Sequence, residues 1–274
     1  MSKIMTLSIA GKYPWGIFKT APGGPGPQGI IFLTDSRFTD NVTNEINDVG
    51  PKIFSLSNDV GLVYAGWVHG ALECIKSFKN YLQVNSNKST FEKIDNLQNI
   101  AREKYSQLQK GRTENSPLYF LIGIWGRYEN SPDLYLLRND SPFPFHAEIV
   151  DGLYAIGANE STRNLFHQKL DEYCKSGKVL NDNPLDWLNY CSVVLSNDII
   201  VPQVSRYVGG LIQTAILSKN QFNWVTQAEF LGSSETWIIT EREGDRWTQK
   251  RGSDIVQHTE PRYDPTFQGA TKIF

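Results

Sequence analysis

The chain has 274 residues, 40% of them apolar and 12% aromatic, which is enough to bury a sizeable core in one large domain or two small ones. Its formal net charge is −2, and its lysines and arginines are spread along the chain instead of forming basic blocks. This charge pattern excludes the basic surface that nucleic acid or an anionic membrane would bind. We therefore expect neither kind of partner.

The three cysteines are too few and too far apart for a disulfide framework or a structural zinc site, since Cys74, Cys174 and Cys191 form no Cys-x-x-Cys pair. No apolar run approaches the roughly 18 residues of a membrane span, and the N-terminal residues lack the apolar core of a signal peptide. The sequence thus predicts a cytoplasmic protein with reduced thiols.

The first half of the chain alternates between apolar runs and turn signals. A β-prone run begins at Thr6 and stops before Pro14. The stretch 13–28 contains four prolines and four glycines and predicts an extended surface loop. A buried strand, Ile30 to Leu33, follows, and residues 52–65 read as a hairpin that turns at Asn58 and Asp59.

Four helices are predicted from a spacing of about 3.6 residues between apolar positions. The first runs from about His69 to Val84, and the second begins at a capping box of Ser89 and Glu92 and ends near Gly111. The other two are predicted at about 160–174 and from Asn183-Pro184 to near Asn197.

Further strands are predicted at 117–125, 133–138, 152–157 and 209–219, with several β-prone pieces after Asn220. Strands, two helices, strands, two helices and strands is the order expected of an α+β protein with a four-layer αββα sandwich.

Three polar or special residues stand at the ends of predicted strands. Asp35 follows the apolar run 30–33, Lys52 opens the next predicted strand, and Gly66 closes its partner. We expect these three residues to meet at one edge of a sheet. The alternative for Asp35 and Lys52 is a buried structural ion pair without a catalytic role.

This pattern resembles the proteasome β-subunit family, which includes simpler bacterial ring proteases and belongs to the N-terminal-nucleophile (Ntn) hydrolases. The shared features are Asp-Ser-Arg at 35–37 after an apolar strand, a lysine at 52 that opens a later strand, and Ala-Gly at 65–66 before a helix. The resemblance in element order covers about residues 6–219, so 13–28 is an insertion and 220–274 an extension of one domain spanning 1–274.

The resemblance implies a catalytic role for four residues. Thr6 takes the place of the nucleophile, whose own α-amine accepts its proton. Lys52 is the electrostatic activator, Asp35 is the partner of Lys52, and Gly66 is the oxyanion donor. The resemblance further implies a homo-oligomer that acts on a peptide or protein substrate, without a cofactor or a metal.

The sequence also departs from the family pattern. Met1 to Met5 precede Thr6, and the positions of the family's supporting aspartate and two serines fall on Ser205, Val208 and Ala158. Two functions therefore stay open: a threonine-type peptidase or amide hydrolase, and a noncatalytic scaffold or interaction protein.

Two other features are weaker candidates for sites. The four histidines, His69, His146, His167 and His258, have no metal-ligand spacing, and the glycine-rich GGPGPQG lacks the lysine and the helix of a phosphate-binding loop.

Overall fold

The computed structural model describes residues 6–13, 28–39, 46–47, 51–110, 115–126, 131–175, 184–204, 208–209, 211–219, 221–225, 237–243, 246–251 and 254–259. The strands of these residues are, in chain order, β1 (Leu7–Tyr13), β2 (Gly29–Asp35), β3 (Phe38–Thr39), β4 (Ile46–Asn47), β5 (Ile53–Ser57), β6 (Val60–Gly66), β7 (Leu118–Ile124), β8 (Asp133–Arg138), β9 (Glu148–Ile149), β10 (Leu153–Gly157), β11 (Leu211–Ser218), β12 (Gln221–Trp224), β13 (Trp237–Glu243), β14 (Arg246–Arg251) and β15 (Asp254–Thr259). The helices are α1 (Val68–Val84), α2 (Thr90–Gln109), α3 (Glu160–Lys175) and α4 (Pro184–Val194).

The strands form two sheets and a short ribbon. The first sheet has eight strands in the order β10-β1-β2-β11-β13-β14-β15, with β12 also paired to β11, and the second has five in the order β5-β6-β7-β8-β9. The second sheet is antiparallel throughout, and the first is antiparallel except where β11 pairs with β13. The chain is therefore a mixed α/β protein built on two mainly antiparallel sheets.

Strand β2 is buried on both faces because successive side chains of a strand point in opposite directions. Ile31 and Leu33 belong to an apolar cluster that includes residues of α3 and α4, whereas Ile30 and Phe32 belong to a cluster shared with β5, β6, β7 and β8. A continuous apolar run is what such a strand requires. Each of these side chains contributes about 1.5–3 kcal/mol through burial.

The other apolar cluster joins α1 and α2 to the second sheet. Helix α1 contributes buried residues at a helical spacing, among them Cys74, Phe78 and Leu82. Helix α2 begins at the predicted capping box, in which Ser89 and Glu92 satisfy each other's backbone N–H groups. Both predicted helices are confirmed to within about two residues, the usual uncertainty of helix ends.

Two predicted boundaries need correction. Tyr13, placed in the insertion, is the buried last residue of β1, where it pairs with Gly29. Helix α4 ends at Val194, and the chain continues as a π-helical segment, Leu195–Ile200, in which the N–H of Val201 donates to the carbonyl of Ser196. The wider π turn shifts the helical register, so a spacing of 3.6 residues could not predict it. Residues 14–27 of the insertion lie outside the described residues.

The extension after residue 220 adds strands to the first sheet. Its described part comprises β12 to β15, and β13 pairs with β11 through Leu211 and Trp237. Residues 260–274 lie outside the described part of the chain. No helix among the described residues is long and apolar enough to cross a membrane.

Candidate functional site

The four residues implied in catalysis lie at strand ends of the two sheets. Thr6 precedes β1 directly, and Asp35 ends β2, which runs antiparallel to β1. Lys52 precedes β5 directly, and Gly66 ends β6, which runs antiparallel to β5. An antiparallel pair places the start of one strand beside the end of the next, so each sheet contributes two of the four residues. The expectation that Asp35, Lys52 and Gly66 meet at one edge of a single sheet is therefore wrong, because Asp35 belongs to the first sheet and the other two to the second.

Thr6, Asp35 and Lys52 form a buried, hydrogen-bonded cluster. The hydroxyl of Thr6 donates to Oδ1 of Asp35 at 3.0 Å, and Nζ of Lys52 lies 3.0 Å from Oδ2 of the same carboxylate. The ammonium of Lys52 also donates to Oγ1 of Thr6. The exposed fractions of the three residues are 3%, 0% and 1%. The structure thus brings together the hydroxyl, the cation and the carboxylate that the sequence analysis singled out.

Backbone groups fix the orientation of the Asp35 carboxylate. Oδ1 accepts from the N–H of Leu7 at 2.8 Å, and Oδ2 accepts from the N–H groups of Arg37 at 3.0 Å and Gly209 at 3.3 Å. Because a buried carboxylate is costly unless its oxygens are hydrogen-bonded, these donors compensate for its loss of water. The carboxylate can therefore hold Lys52 in one position.

The ammonium of Lys52 finds acceptors for its three N–H donors. Besides Thr6 and Asp35, it donates to the carbonyl oxygen of Arg37 at 2.6 Å. Its backbone is held as well, because its N–H donates to Oε1 of the buried Gln213 at 3.0 Å. Lys52 is thus held both at its backbone N–H and at the ammonium group of its side chain.

Gly66 has a backbone conformation that requires glycine. Its φ is +104°, and a Cβ atom at this position would lie 2.1 Å from the carbonyl oxygen of Pro117. The same carbonyl accepts from the N–H of Trp67 at 2.8 Å. The chain therefore turns sharply between β6 and α1.

The sequence resembles the proteasome β-subunit family, and at two of the positions where that family has supporting polar residues this chain has apolar ones. Val208 and Ala158 are buried, and Ser205 lies outside the described residues. Ala158 has a φ of +42°, and Arg163 donates to its carbonyl oxygen at 3.0 Å and to that of Gly157 at 2.7 Å. The backbone turn beside Thr6 is thus held by a guanidinium group.

Two glycines pack closely around Thr6 and Asp35, and the backbone at Gly157, whose φ is +74°, requires glycine. A Cβ atom on Gly157 would lie 2.2 Å from the carbonyl oxygen of Thr6, and one on Gly209 would lie 2.4 Å from Cζ of Arg37. The backbone of β10 and the side chain of Arg37 therefore approach the site closely.

Sequence reasoning missed several polar residues behind the site, namely Ser8, Thr34 and Gln213. All three are buried in strands that are otherwise mostly apolar. A polar residue inside such a strand is a usable signal, since a buried polar group needs a hydrogen-bond partner.

Other candidate features do not join this cluster. No group of histidine, cysteine or acidic residues that could hold a metal is found within the described part of the chain. A cavity of about 630 Å³ lies between α2, the start of β7 and the segment after β8, and none of the four proposed catalytic residues lines it.

The comparisons with known proteins identify the fold. No protein-family model matches the chain, and no curated protein matches its sequence. Among solved structures, it is similar to the Anbu (Gly-1) mutant from Hyphomicrobium sp. strain MC1, with a TM-score of 0.57 and 13% identity over 80% of this chain and 84% of that one. At 13% identity this likeness shows the fold alone, so the chain has a proteasome-like fold.

Proposed function

We propose that this protein is a threonine-type amide hydrolase that acts on a peptide or protein substrate, with Thr6 as its nucleophile. The observation that carries the proposal is the buried contact of the Thr6 hydroxyl with both Lys52 and Asp35. A hydroxyl is a weak nucleophile unless a base and a suitable charge stand beside it. The cluster supplies the charge, and the α-amine of a terminal Thr6 would supply the base.

In the proposed reaction, Oγ1 of Thr6 attacks the carbonyl carbon of the scissile amide while its proton passes to the α-amine. The C–N bond then breaks, the leaving nitrogen takes that proton, and an ester with Thr6 remains. Water hydrolyses the ester, which restores the hydroxyl and releases the acid. Lys52 favours the neutral, proton-accepting form of the amine and stabilises negative charge on Oγ1, and Asp35 holds Lys52 in place.

Gly66 is the proposed oxyanion donor through its backbone N–H. Such a donor stabilises the negative oxygen of the tetrahedral intermediate when it is fixed before the reaction begins. The sharp turn at Gly66 and the neighbouring hydrogen bond from Trp67 to Pro117 support a fixed position.

Activity requires a free amine on Thr6, and Met1 to Met5 precede it in the sequence. While Met5 is attached, the nitrogen of Thr6 is part of an amide and cannot accept the proton. The proposal therefore includes removal of residues 1–5.

A noncatalytic scaffold or interaction protein is the second candidate function. It is favoured by the apolar residues Ala158 and Val208, which stand where the resembling family has supporting polar side chains. In that case Asp35 and Lys52 would be a structural ion pair.

The proposal includes a four-layer αββα architecture in a single domain of residues 1–274. Three apolar clusters support it, since one joins α1 and α2 to the second sheet, one joins the two sheets, and one joins α3 and α4 to the first sheet. The addition of β12 to β15 to the first sheet supports one domain.

We further propose a homo-oligomer that works in the cytoplasm. The exposed apolar side chains of Val84 and Phe91, on either side of the α1–α2 turn, support a protein interface, and the three free thiols support a reducing compartment. Light scattering tests the assembly, and a particle of only 31.0 kDa at micromolar concentration would contradict it.

The intact mass of the purified protein tests the proposed activity. The wild type is expected to lose Met1 to Met5, whereas Thr6→Ala and Lys52→Ala are expected to keep them. Thr162→Ala, a change at another buried threonine, is the matched control and is expected to be processed like the wild type. An electrophilic inhibitor that reacts with terminal threonines should label Thr6. Full-length, unlabelled wild type would instead favour the scaffold.

A further inference from the structure

The proposed site is divided between two sheets that meet through an apolar cluster. Thr6 and Asp35 come from the first sheet, and Lys52 and Gly66 come from the second. Apolar attraction is non-directional and does not by itself fix how one sheet lies on the other. The contact between Thr6 and Lys52 therefore needs directional bonds from sheet to sheet.

Ser8 makes the first of these bonds. It is fully buried in β1, and its hydroxyl donates to the carbonyl oxygen of Tyr64 in β6 at 2.7 Å. The hydroxyl of Thr34 lies 2.8 Å from that of Ser8 and is also within hydrogen-bond distance of the carbonyl oxygens of Leu7 and Asp35. Ser8 stands two residues after Thr6, and Tyr64 stands two residues before Gly66.

Gln213 makes the second bond. This residue of β11 pairs with Thr34 of β2 and is 1% exposed. Its Oε1 accepts from the backbone N–H of Lys52 at 3.0 Å, which ties the first sheet to the start of β5.

The two bonds belong to one closed circuit. The N–H of Tyr64 donates to the carbonyl oxygen of Lys52 at 3.2 Å, so the partners of Ser8 and Gln213 in the second sheet are bonded to each other. In the first sheet, Ser8 and Gln213 are both register partners of Thr34. A shift of either sheet would break this circuit and leave buried polar groups without partners, which is costly.

We infer that Ser8 and Gln213 are positioning residues. They fix the position of the second sheet relative to the first and thereby hold the ammonium of Lys52 against Thr6. The inference rests on the proposed function only in so far as it assigns that contact a role in catalysis. Neither residue touches the reacting atoms, and each acts through a backbone group of the second sheet.

The test compares each residue with a matched control in protein expressed from the whole 274-residue sequence, with any removal of residues 1–5 left to occur as in the wild type. Ser8→Ala is paired with Ser192→Ala, because Ser192 is equally buried and also donates to a carbonyl at 2.7 Å, but within α4. Gln213→Leu is paired with Gln98→Leu, because Gln98 also accepts a backbone N–H at 3.0 Å, but from Ala147. Ser8→Thr keeps the hydroxyl and serves as the rescue variant.

Two readouts separate positioning from catalysis. The first is the nuclear Overhauser effect between the methyl group of Thr6 and the ε-methylene of Lys52, which requires no activity. The second is the rate at which an electrophile labels Thr6. Ser8→Ala and Gln213→Leu are expected to lose most of the Overhauser signal and to label about tenfold more slowly, since small displacements of reacting groups reduce rates strongly.

Equal Overhauser intensity in the two test variants and their controls would overturn the inference, and so would a Ser8→Thr variant as impaired as Ser8→Ala. If the wild type is not labelled, the proposed function fails and the Overhauser comparison alone decides the inference. If Ser8→Ala does not fold, the pair Gln213→Leu and Gln98→Leu decides it.

Discussion

The ammonium group of Lys52 donates a hydrogen bond to the hydroxyl of Thr6, a residue 46 positions earlier in the chain, and both side chains are buried. A buried ammonium is retained only if its charge is balanced, and Asp35 provides that balance. The same arrangement can orient a nucleophile or stabilise a fold, so stability and chemistry are tested separately.

Removing the cation of this cluster should strongly destabilise the fold. Lys52→Met leaves the Asp35 carboxylate buried without its cation, and we expect a loss of about 3 kcal/mol in the free energy of unfolding. Unfolding in urea measures this loss in the free energy of unfolding. Lys169→Met, which removes an ion pair whose side chains are 33% and 51% exposed, is the control and should change little. Equal midpoints for the two variants would contradict a buried ion pair.

Adding a methyl group at Gly66 should cost more than adding one at Gly152. Both glycines have positive φ, but a Cβ at Gly66 would meet the carbonyl of Pro117 at 2.1 Å, whereas one at Gly152 meets nothing within 4 Å. We expect Gly152→Ala to cost about 1 kcal/mol and Gly66→Ala about 3 kcal/mol or more. Thermal unfolding compares the two, and equal losses would show that the turn at Gly66 is not tightly packed.

The capping box of α2 should stabilise the protein only above acidic pH. The hydrogen bond from Lys88, followed by those from the backbone and hydroxyl of Ser89, lowers the pKa of Glu92 to about 2. Since this is below the unfolded value of about 4.3, the stabilisation is complete above that value and is lost as the pH falls through 2.

The difference in thermal midpoint between the wild type and Glu92→Gln should therefore be largest near neutral pH and shrink towards pH 2. In a carboxyl titration by NMR, Ser89→Ala should raise the pKa of Glu92 towards its usual range. A difference in midpoint that grows as the pH falls would contradict the assignment.

The three thiols should differ in reactivity towards an alkylating reagent. Burial, followed by the nearby charge of Glu73, raises the pKa of Cys74 to about 12, and burial also raises the pKa of Cys191. Burial, followed by the charge of Asp171, also raises the pKa of Cys174, but this thiol is only partly buried and is therefore accessible to the reagent. Because the thiolate is the reactive form, the native protein should be modified only at Cys174 and the unfolded protein at all three. Mass spectrometry counts the adducts, with Cys174→Ser as the unreactive control.

Much of the local structure follows from the sequence alone. The apolar run before Asp35 predicts a buried strand, and Ser89 with Glu92 predicts the start of α2. These features depend on side-chain periodicity and on contacts within a few residues, which a linear sequence contains. The same reasoning places Asp35, Lys52 and Gly66 at strand ends, and the structure has them there.

The tertiary structure decided how those strand ends meet. The contact of Lys52 with Thr6 and the bonds from Ser8 and Gln213 all cross from one sheet to the other. Such bonds join residues far apart in the chain. They form only when the apolar faces of the two sheets pack against each other in the correct position. The apolar runs determine which strands are buried, but only the packed sheets determine which polar groups come within hydrogen-bonding distance.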